Sequence, residues 1–287
     1  MDNKINNGAI PDIFDPRDYK WSNIGKNSKP FDWNEGFDIE KVLGFNLVSK
    51  DQGSNYSCGG QAFSYYGAVK ENLMTKTYEE RSAKFLYSQC YVSGGGTRGR
   101  DLCNIAINQG FGKELFCASS ENGLPGSEEF MERSSDITET ARIDAKGTVA
   151  LSYANVSPDI DSIAQAIRDN AGVILGLTGQ NGKNWSGVFP QPPEKRDWGH
   201  WVYAGKAKLI DGKKYIGIKN SWGDSVGEKG WQWIGEDYFN KTIENTDSGK
   251  AVWYGWTLVL KQVDQEQEKG NLLKIIISLL LKLLKWK

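Results

Sequence analysis

Apolar side chains recur at helical spacing in the first part of the chain and in short strand-like runs in the second. Three early segments have apolar positions three or four residues apart. They are predicted to be helices: 61–73, 82–91 and 100–109. Gly110, directly after the third segment, is typical of a helix end. The first 120 residues are therefore expected to be mostly helical.

The second part of the chain is expected to be rich in strands. Residues 118–147 are polar and irregular, with at most a short helix at 126–134. One further helix is predicted at 159–170, and Asp211-Gly212 is typical of a hairpin turn. The predicted strands are 149–153, 173–178, 200–208, 214–219 and 230–234. A helical half followed by a β-rich half predicts an α+β fold with two subdomains facing each other across a cleft.

The two ends of the chain differ from this globular domain, which is assigned to residues 31–260. Residues 1–30 are polar and are expected to form an extended arm on the domain, with a disordered leader as the alternative. Residues 261–270 have no core pattern and are interpreted as a linker.

Residues 271–287 are predicted to form a cationic amphipathic helix, because their polar positions fall on one stripe of a helix. No uncharged run in this segment approaches the ~20 residues needed to span a bilayer. The segment is therefore expected to bind a membrane surface or to pack against a partner helix, and periodicity alone does not separate these two alternatives.

Composition narrows the function only a little. The charged fraction is 25% and the net charge is −1, so nothing favours nucleic acid as a partner. There are four cysteines, and no apolar leader follows the first residues. We therefore expect no signal peptide, and either a reducing compartment or no structural disulfides. The expected location is cytoplasmic or, as the family resemblance given below implies, virion-associated, with peripheral attachment to a membrane as an alternative.

Four residues have the chemistry of acyl transfer. Cys58 lies where a glycine-bearing loop enters the first predicted helix, and a helix N-terminus favours a thiolate. His200 is the single histidine of the chain and hence the only imidazole base. Asn220 ends a predicted strand and could orient the imidazole, while Gln52 could donate to an oxyanion. Nucleophile, base and orienter need no metal or cofactor.

Each of these residues also has a purely structural interpretation. A cysteine before a helix is most often structural. A histidine between Trp198 and Trp201 could be a packed core group, and Asn220 could be a turn residue. The combination is more specific than its members.

Three segments together resemble the papain-like cysteine peptidases, in a divergent branch of bacterial or phage type. They are the nucleophile loop at 51–64, the histidine strand at 199–205 and the asparagine turn at 215–231. The resemblance implies a papain-like fold with its active site in the cleft, and a polypeptide substrate. It also implies these roles: Cys58 as nucleophile, His200 as base, Asn220 as orienter, Gln52 as oxyanion donor and Trp222 as shield.

The same resemblance implies a substrate-binding surface. Gly95 and Gly96 resemble the glycines that bind the substrate backbone. Trp201 occupies a position that is usually small and lines the specificity pocket, so it would narrow or reshape that pocket.

One departure from the family leaves two functions open. Cys58 is followed by Gly59-Gly60-Gln61 before Ala62-Phe63-Ser64. Alignment on Ala62-Phe63-Ser64 puts Gly60 at the nucleophile position and predicts an inactive papain-fold binding module tethered by its C-terminal helix. Alignment on Gln52 selects Cys58, which we favour because the glutamine spacing sets the oxyanion geometry. The sequence thus predicts a cysteine-dependent peptidase that works through a Cys58 thioester.

Overall fold

The computed structural model describes residues 8–13, 15–16, 18–24, 29–244 and 249–260. The predicted linker and the predicted amphipathic helix at 271–287 lie outside the described residues, and both stay predictions.

Helices dominate the first half of the described chain. The α-helices are α1 Trp21–Ile24, α2 Ile39–Leu43, α3 Cys58–Thr75, α4 Ala83–Tyr87, α5 Gly99–Asn108, α6 Glu128–Glu132, α7 Glu139–Ala145, α8 Ile160–Asn170 and α9 Glu236–Asn240. The longest, α3, is buried over most of its length, with α4 and the sheet packed on it. Its close packing needs small residues, since a Cβ on Gly67 would lie 2.4 Å from the Phe111 ring.

Two helical predictions differ from the structure. The helix predicted at 82–91 is shorter, because the chain turns after Tyr87 towards three glycines with positive φ, Gly94–Gly96. Helix α7 lies in a stretch expected to be irregular. It buries only the alanines Ala141 and Ala145, so it has no wide apolar stripe for a periodicity search to detect.

The second half of the chain forms most of one antiparallel sheet. The strands of the described chain are β1 Ala9–Ile10, β2 Phe37–Asp38, β3 Thr97–Arg98, β4 Ser120–Glu121, β5 Leu124–Pro125, β6 Ala150–Val156, β7 Val173–Gly179, β8 Trp198–Ile210, β9 Lys213–Lys219, β10 Trp231–Gly235 and β11 Val252–Leu260. The sheet order is β10-β9-β8-β7-β11-β6, with β2 added on β8.

The long strand β8 holds the sheet together. Its first half pairs with β7 and places His200 opposite Leu177. From Tyr203 onwards it pairs with β9, with a register shift between Ala204 and Lys206. Strand β11, which was not among the predicted strands, inserts between β7 and β6. The last described strand therefore joins the edge strand β6 to the rest of the sheet.

Two apolar clusters cover the two faces of this sheet. One joins α3 and α5 to the sheet, and the other lies between the sheet and α8. A helical half that packs on a β-rich half confirms the predicted α+β class. All four cysteines are described and none is in a disulfide. Within the described ranges, no helix is both long and apolar enough to cross a membrane.

Candidate active site

Cys58 is the first residue of α3, and its side chain is fully buried. The Trp201 backbone N–H points at its sulfur, with 3.5 Å from N to Sγ. Because Trp201 follows His200 in β8, this contact brings the helix N-terminus to the histidine strand.

The two glycines after Cys58 answer a different packing demand. A Cβ on Gly59 would lie 2.2 Å from Thr97 Oγ1, and a Cβ on Gly60 would lie 2.5 Å from the Ala83 carbonyl oxygen. Gly60 therefore faces α4 rather than the histidine strand. Of the two positions that sequence alignment left open, Cys58 is the one in contact with β8.

His200 lies in β8 with its ring completely buried. Its Nε2 is 2.9 Å from Asn220 Oδ1, and the Trp222 ring stacks on it at 4.5 Å between centroids, with 28° between the planes. Nδ1 is buried and has no hydrogen-bond partner in the part of the chain that the structure describes. The ring is thus fixed on one side and has an unused nitrogen on the other.

Asn220 is the residue after β9, and both ends of its amide are engaged. Oδ1 accepts the Ser221 N–H at 2.7 Å as well as facing His200, and Nδ2 donates to Gln232 Oε1 at 2.8 Å. Gln232 was not identified from the sequence. The available signal was one polar side chain between Trp231 and Trp233 in an apolar strand.

Gln52 is buried beside Asn220, because the Gln52 backbone N–H donates to the Ser221 carbonyl at 2.8 Å. Its side chain is oriented by two bonds: Ser221 Oγ donates to Oε1 at 2.6 Å, and Nε2 donates to the Asn55 carbonyl at 2.8 Å. A primary amide has two N–H groups. The Asn55 carbonyl thus takes one of the two Gln52 N–H groups, and the role of Gln52 as oxyanion donor stays a prediction.

The described part of the N-terminal arm lies in the cleft and covers the sulfur. Its strand β1 runs parallel to β3, and the Thr97 N–H donates to the Gly8 carbonyl at 3.0 Å. A Cβ on Gly8 would lie 2.7 Å from Cys58 Sγ and 2.4 Å from the Tyr56 carbonyl oxygen. Only a glycine backbone can approach the sulfur this closely.

The glycine loop forms the wall of the cleft against this arm. A Cβ on Gly95 would lie 2.5 Å from the Tyr56 ring, and one on Gly96 would lie 2.7 Å from the Gly8 carbonyl oxygen. The Gly96 N–H donates to Tyr87 Oη at 2.9 Å, so Thr97 supplies the backbone donor to the arm. Binding of substrate by Gly95 and Gly96 stays a prediction.

Trp201 is completely buried, with its Nε1 donating to the Thr97 carbonyl at 2.9 Å. Its ring packs against Trp253 and Tyr254. The indole therefore holds β3 through the Thr97 carbonyl. Contact of Trp201 with substrate stays a prediction.

Burial determines the protonation of Cys58 and His200 in this conformation. It raises the pKa of the Cys58 thiol to about 12, opposed by the N–H groups of Trp201 and Gly59. It lowers the pKa of the His200 imidazole to about 4, opposed by the hydrogen bond with Asn220. With the arm in place the pair is therefore a neutral thiol and a neutral imidazole.

Comparison with known proteins follows this geometry. The papain family of cysteine proteases matches the chain over residues 29–250. No curated protein sequence matches at a significant level.

Solved structures share the fold at low sequence identity. Xylellain, a cysteine protease from Xylella fastidiosa, superimposes with a TM-score of 0.70 and 21% identity, covering 88% of this chain and 95% of its own. Procathepsin B S9 from Trypanosoma congolense gives a TM-score of 0.66 and 10% identity, covering 89% and 86%. The bromelain protease from Ananas comosus, in complex with the E64 inhibitor, gives 0.56 and 18%, covering 79% and 99%.

Proposed function

The chain belongs to the papain family of cysteine proteases and is a cysteine-type peptidase, and we propose that it cleaves peptide bonds through a thioester on Cys58. One observation carries the assignment of residues. The buried Nδ1 of His200 has no partner within the described residues, on a ring whose next residue contacts Cys58 Sγ. An imidazole fixed at Nε2 and unused at Nδ1, close to a thiol, is the arrangement of a general base.

The first half of the reaction forms the thioester. His200 Nδ1 takes the thiol proton, and the sulfur attacks the carbonyl carbon of the substrate. The negative charge that develops on the carbonyl oxygen is met by the Cys58 backbone N–H and the remaining Gln52 amide N–H. His200 then gives its proton to the leaving nitrogen as the C–N bond breaks, so the amine departs neutral.

The second half returns the enzyme to its starting state. Water attacks the thioester carbon and gives a proton to His200 Nδ1. The C–S bond breaks, the acid product leaves, and the proton returns to the sulfur. Asn220 keeps the imidazole in one orientation through both halves, and Trp222 shields the hydrogen bond between them from water.

The arm has to leave the sulfur before a substrate can reach it. Gly8 lies against Cys58, and both members of the pair are fully buried. The conformation described is therefore a closed one. We propose that opening of the arm precedes peptide binding.

Hydrolysis of fluorescently labelled casein tests the assignment. The full chain with Gly8→Val, which drives the arm off, should cleave casein; the same chain with Cys58→Ala should not, and with Cys90→Ala it should cleave normally. Cleavage that survives Cys58→Ala would overturn the assignment. A Gly8→Val chain without cleavage and without a reactive Cys58 would support the inactive binding module instead.

The C-terminal segment and the location of the protein are separate proposals. We propose that residues 271–287 attach the domain to a membrane surface, with a partner helix as the alternative, because of their lysine stripe and wide apolar arc. Deletion of 271–287 should abolish co-sedimentation with anionic liposomes and leave casein cleavage intact. Unchanged co-sedimentation would end the membrane proposal. A cytoplasmic or virion-associated location stays a prediction.

A further inference from the structure

Gln232 is a fully buried polar side chain in the apolar strand β10, and every part of its amide is used. Oε1 accepts from Asn220 Nδ2 at 2.8 Å. Nε2 donates to two backbone carbonyls, those of Trp185 at 2.7 Å and Gly187 at 2.8 Å. A buried amide destabilises the folded state unless its N–H and C=O groups have hydrogen-bond partners. Gln232 thus has a complete set of hydrogen-bond partners, and one of them, Asn220, binds the His200 ring.

These partners fix the direction of each hydrogen bond in turn. Backbone carbonyls can only accept, so the Gln232 group facing Trp185 and Gly187 must be the NH2. The oxygen of Gln232 then faces Asn220, which must present its own NH2. Asn220 Oδ1 is left to face His200, so the proton of a neutral imidazole lies on Nε2. The lone pair is then on Nδ1, the nitrogen that has to take the thiol proton.

Asn220 has a second restraint, the Ser221 N–H that points at Oδ1. That bond acts on one end of the amide only. Without Gln232, the Nδ2 end would be a buried donor with no partner, which favours rotation or withdrawal of the side chain. The two restraints together hold both ends.

Gln232 also holds the segment that walls the imidazole. The Trp185 ring lies edge-to-face with His200 at 6.3 Å between centroids, and it is tilted against Trp222 at 5.7 Å. Since Gln232 binds the carbonyls of Trp185 and Gly187, one side chain ties this aromatic wall to the amide that orients the base.

We propose that Gln232 is a positioning residue of the peptidase: it sets the orientation of the Asn220 amide and thereby the Nε2–H tautomer of His200. This inference deepens the proposed function and rests on it for its effect on turnover. Its effect on the tautomer can be observed without any turnover.

The single histidine of the chain makes that observation direct. With 15N-histidine labelling, one imidazole is seen by NMR, and its two nitrogen shifts report the tautomer. The parent should show the Nε2–H form. Gln232→Met, similar in shape but without hydrogen bonds, should show a mixture with the Nδ1–H form. A parent-like tautomer in Gln232→Met would overturn the inference.

Kinetics in the Gly8→Val chain give the second readout. Gln232→Met should lower kcat about tenfold with KM within about twofold, because a buried donor loses its partner. The alkaline limb of kcat/KM should also move to lower pH, since a weaker bond from Asn220 lowers the pKa of the imidazolium. The matched control Ile234→Val, a buried neighbour in β10, should change neither.

A third variant covers the case in which Gln232→Met does not fold. Gln232→Glu keeps the oxygen that accepts from Asn220, and a buried carboxyl stays protonated and can donate to one carbonyl. It should keep the Nε2–H tautomer and at least a third of kcat. A mixed tautomer in this variant would assign the effect to the wall at 185–187 and overturn the role towards Asn220. If no chain cleaves peptides while the tautomer responds as stated, the proposed function fails and the positioning role stands.

Discussion

The two sides of the active site are built in different ways. On the sheet side, His200, Asn220 and Gln232 form one buried chain of side-chain hydrogen bonds that ends on backbone carbonyls. On the helical side, Cys58 is placed by the start of α3 and receives a hydrogen bond from the backbone of Trp201. The arm covers the cysteine side, with Gly8 against the sulfur.

The difference indicates that the sheet orients the base, while the arm controls access to the nucleophile. On the base side, Asn220 and Gln232 hold the His200 ring at Nε2 through hydrogen bonds that belong to the sheet. On the nucleophile side, Cys58 is held by backbone contacts, and its reactivity depends on whether the arm covers the sulfur. Disturbing the sheet side should therefore change the chemistry, while disturbing the arm should change how often the site is open.

The largest effect is expected from Asn220→Ala on the sheet side. Loss of the orienting oxygen should lower kcat by roughly 100- to 1,000-fold, in the range that general acid–base catalysis contributes. Casein cleavage in the Gly8→Val chain measures it, with the exposed Asn240→Ala as matched control. A loss of less than threefold would show that the imidazole is oriented by its packing alone.

The pH dependence of stability should follow from the buried imidazole. The pKa of His200 falls from 6.5 to about 4 on folding, so the fold favours the neutral ring. Stability is fully present above about pH 6.5 and is lost as pH falls towards 4, by up to about 3 kcal/mol. Urea unfolding at pH 7 and pH 4 measures this.

His200→Gln supplies the reference for that measurement, because every other titrating group stays the same. The loss of stability on acidification should be smaller in the variant than in the parent. Equal losses in the two proteins would mean that His200 is not buried as a neutral ring.

The arm should respond to a single methyl group. Gly8→Ala places a Cβ 2.4 Å from the Tyr56 carbonyl, so the docked arm becomes strained and opens more often. Overpacking of this size costs about 1–3 kcal/mol, which corresponds to roughly a 5- to 150-fold rise in alkylation of Cys58 by iodoacetamide. Gly147→Ala, where a Cβ meets nothing within 4 Å, is the matched control. Equal rates in the two variants would show that the arm does not limit access.

The smallest effect is expected from Trp222→Phe. A smaller ring still stacks on His200 but covers less of the bond to Asn220, so kcat should fall only about threefold. Trp33→Phe, on a half-exposed indole away from the site, is the control. A hundredfold loss would mean that Trp222 does more than shield.

Features of the fold and the site could be predicted from the sequence when neighbouring residues determine them, and could not when they depend on contacts between residues far apart in the chain. Cys58, His200 and Asn220 lie in short segments with their own turn and strand signals, and the helical and β-rich halves follow from local periodicity. The choice between Cys58 and Gly60 needed the position of α4, because Gly60 is explained by its contact with Ala83.

Other features depend on long-range pairing that no local pattern encodes. Gln232 is recognisable only when the carbonyls of Trp185 and Gly187 are brought to it. The arm reaches Cys58 because Gly8 pairs with Thr97, far along the chain. Strand β11 has an ordinary apolar sequence, and only the assembled sheet shows that it lies between β7 and β6.

Alkylation kinetics of Cys58 in full-length chains, mapped by mass spectrometry, test the central claim most directly. With Gly8→Val, iodoacetamide should label Cys58 at least about tenfold faster than the half-buried Cys90. The reason is that a thiolate whose proton has passed to His200 reacts faster than a buried thiol. Adding His200→Ala should remove that advantage and leave Cys90 unchanged. Labelling of Cys58 no faster than Cys90 in the Gly8→Val chain, or an advantage that survives His200→Ala, would contradict the pairing of Cys58 with His200.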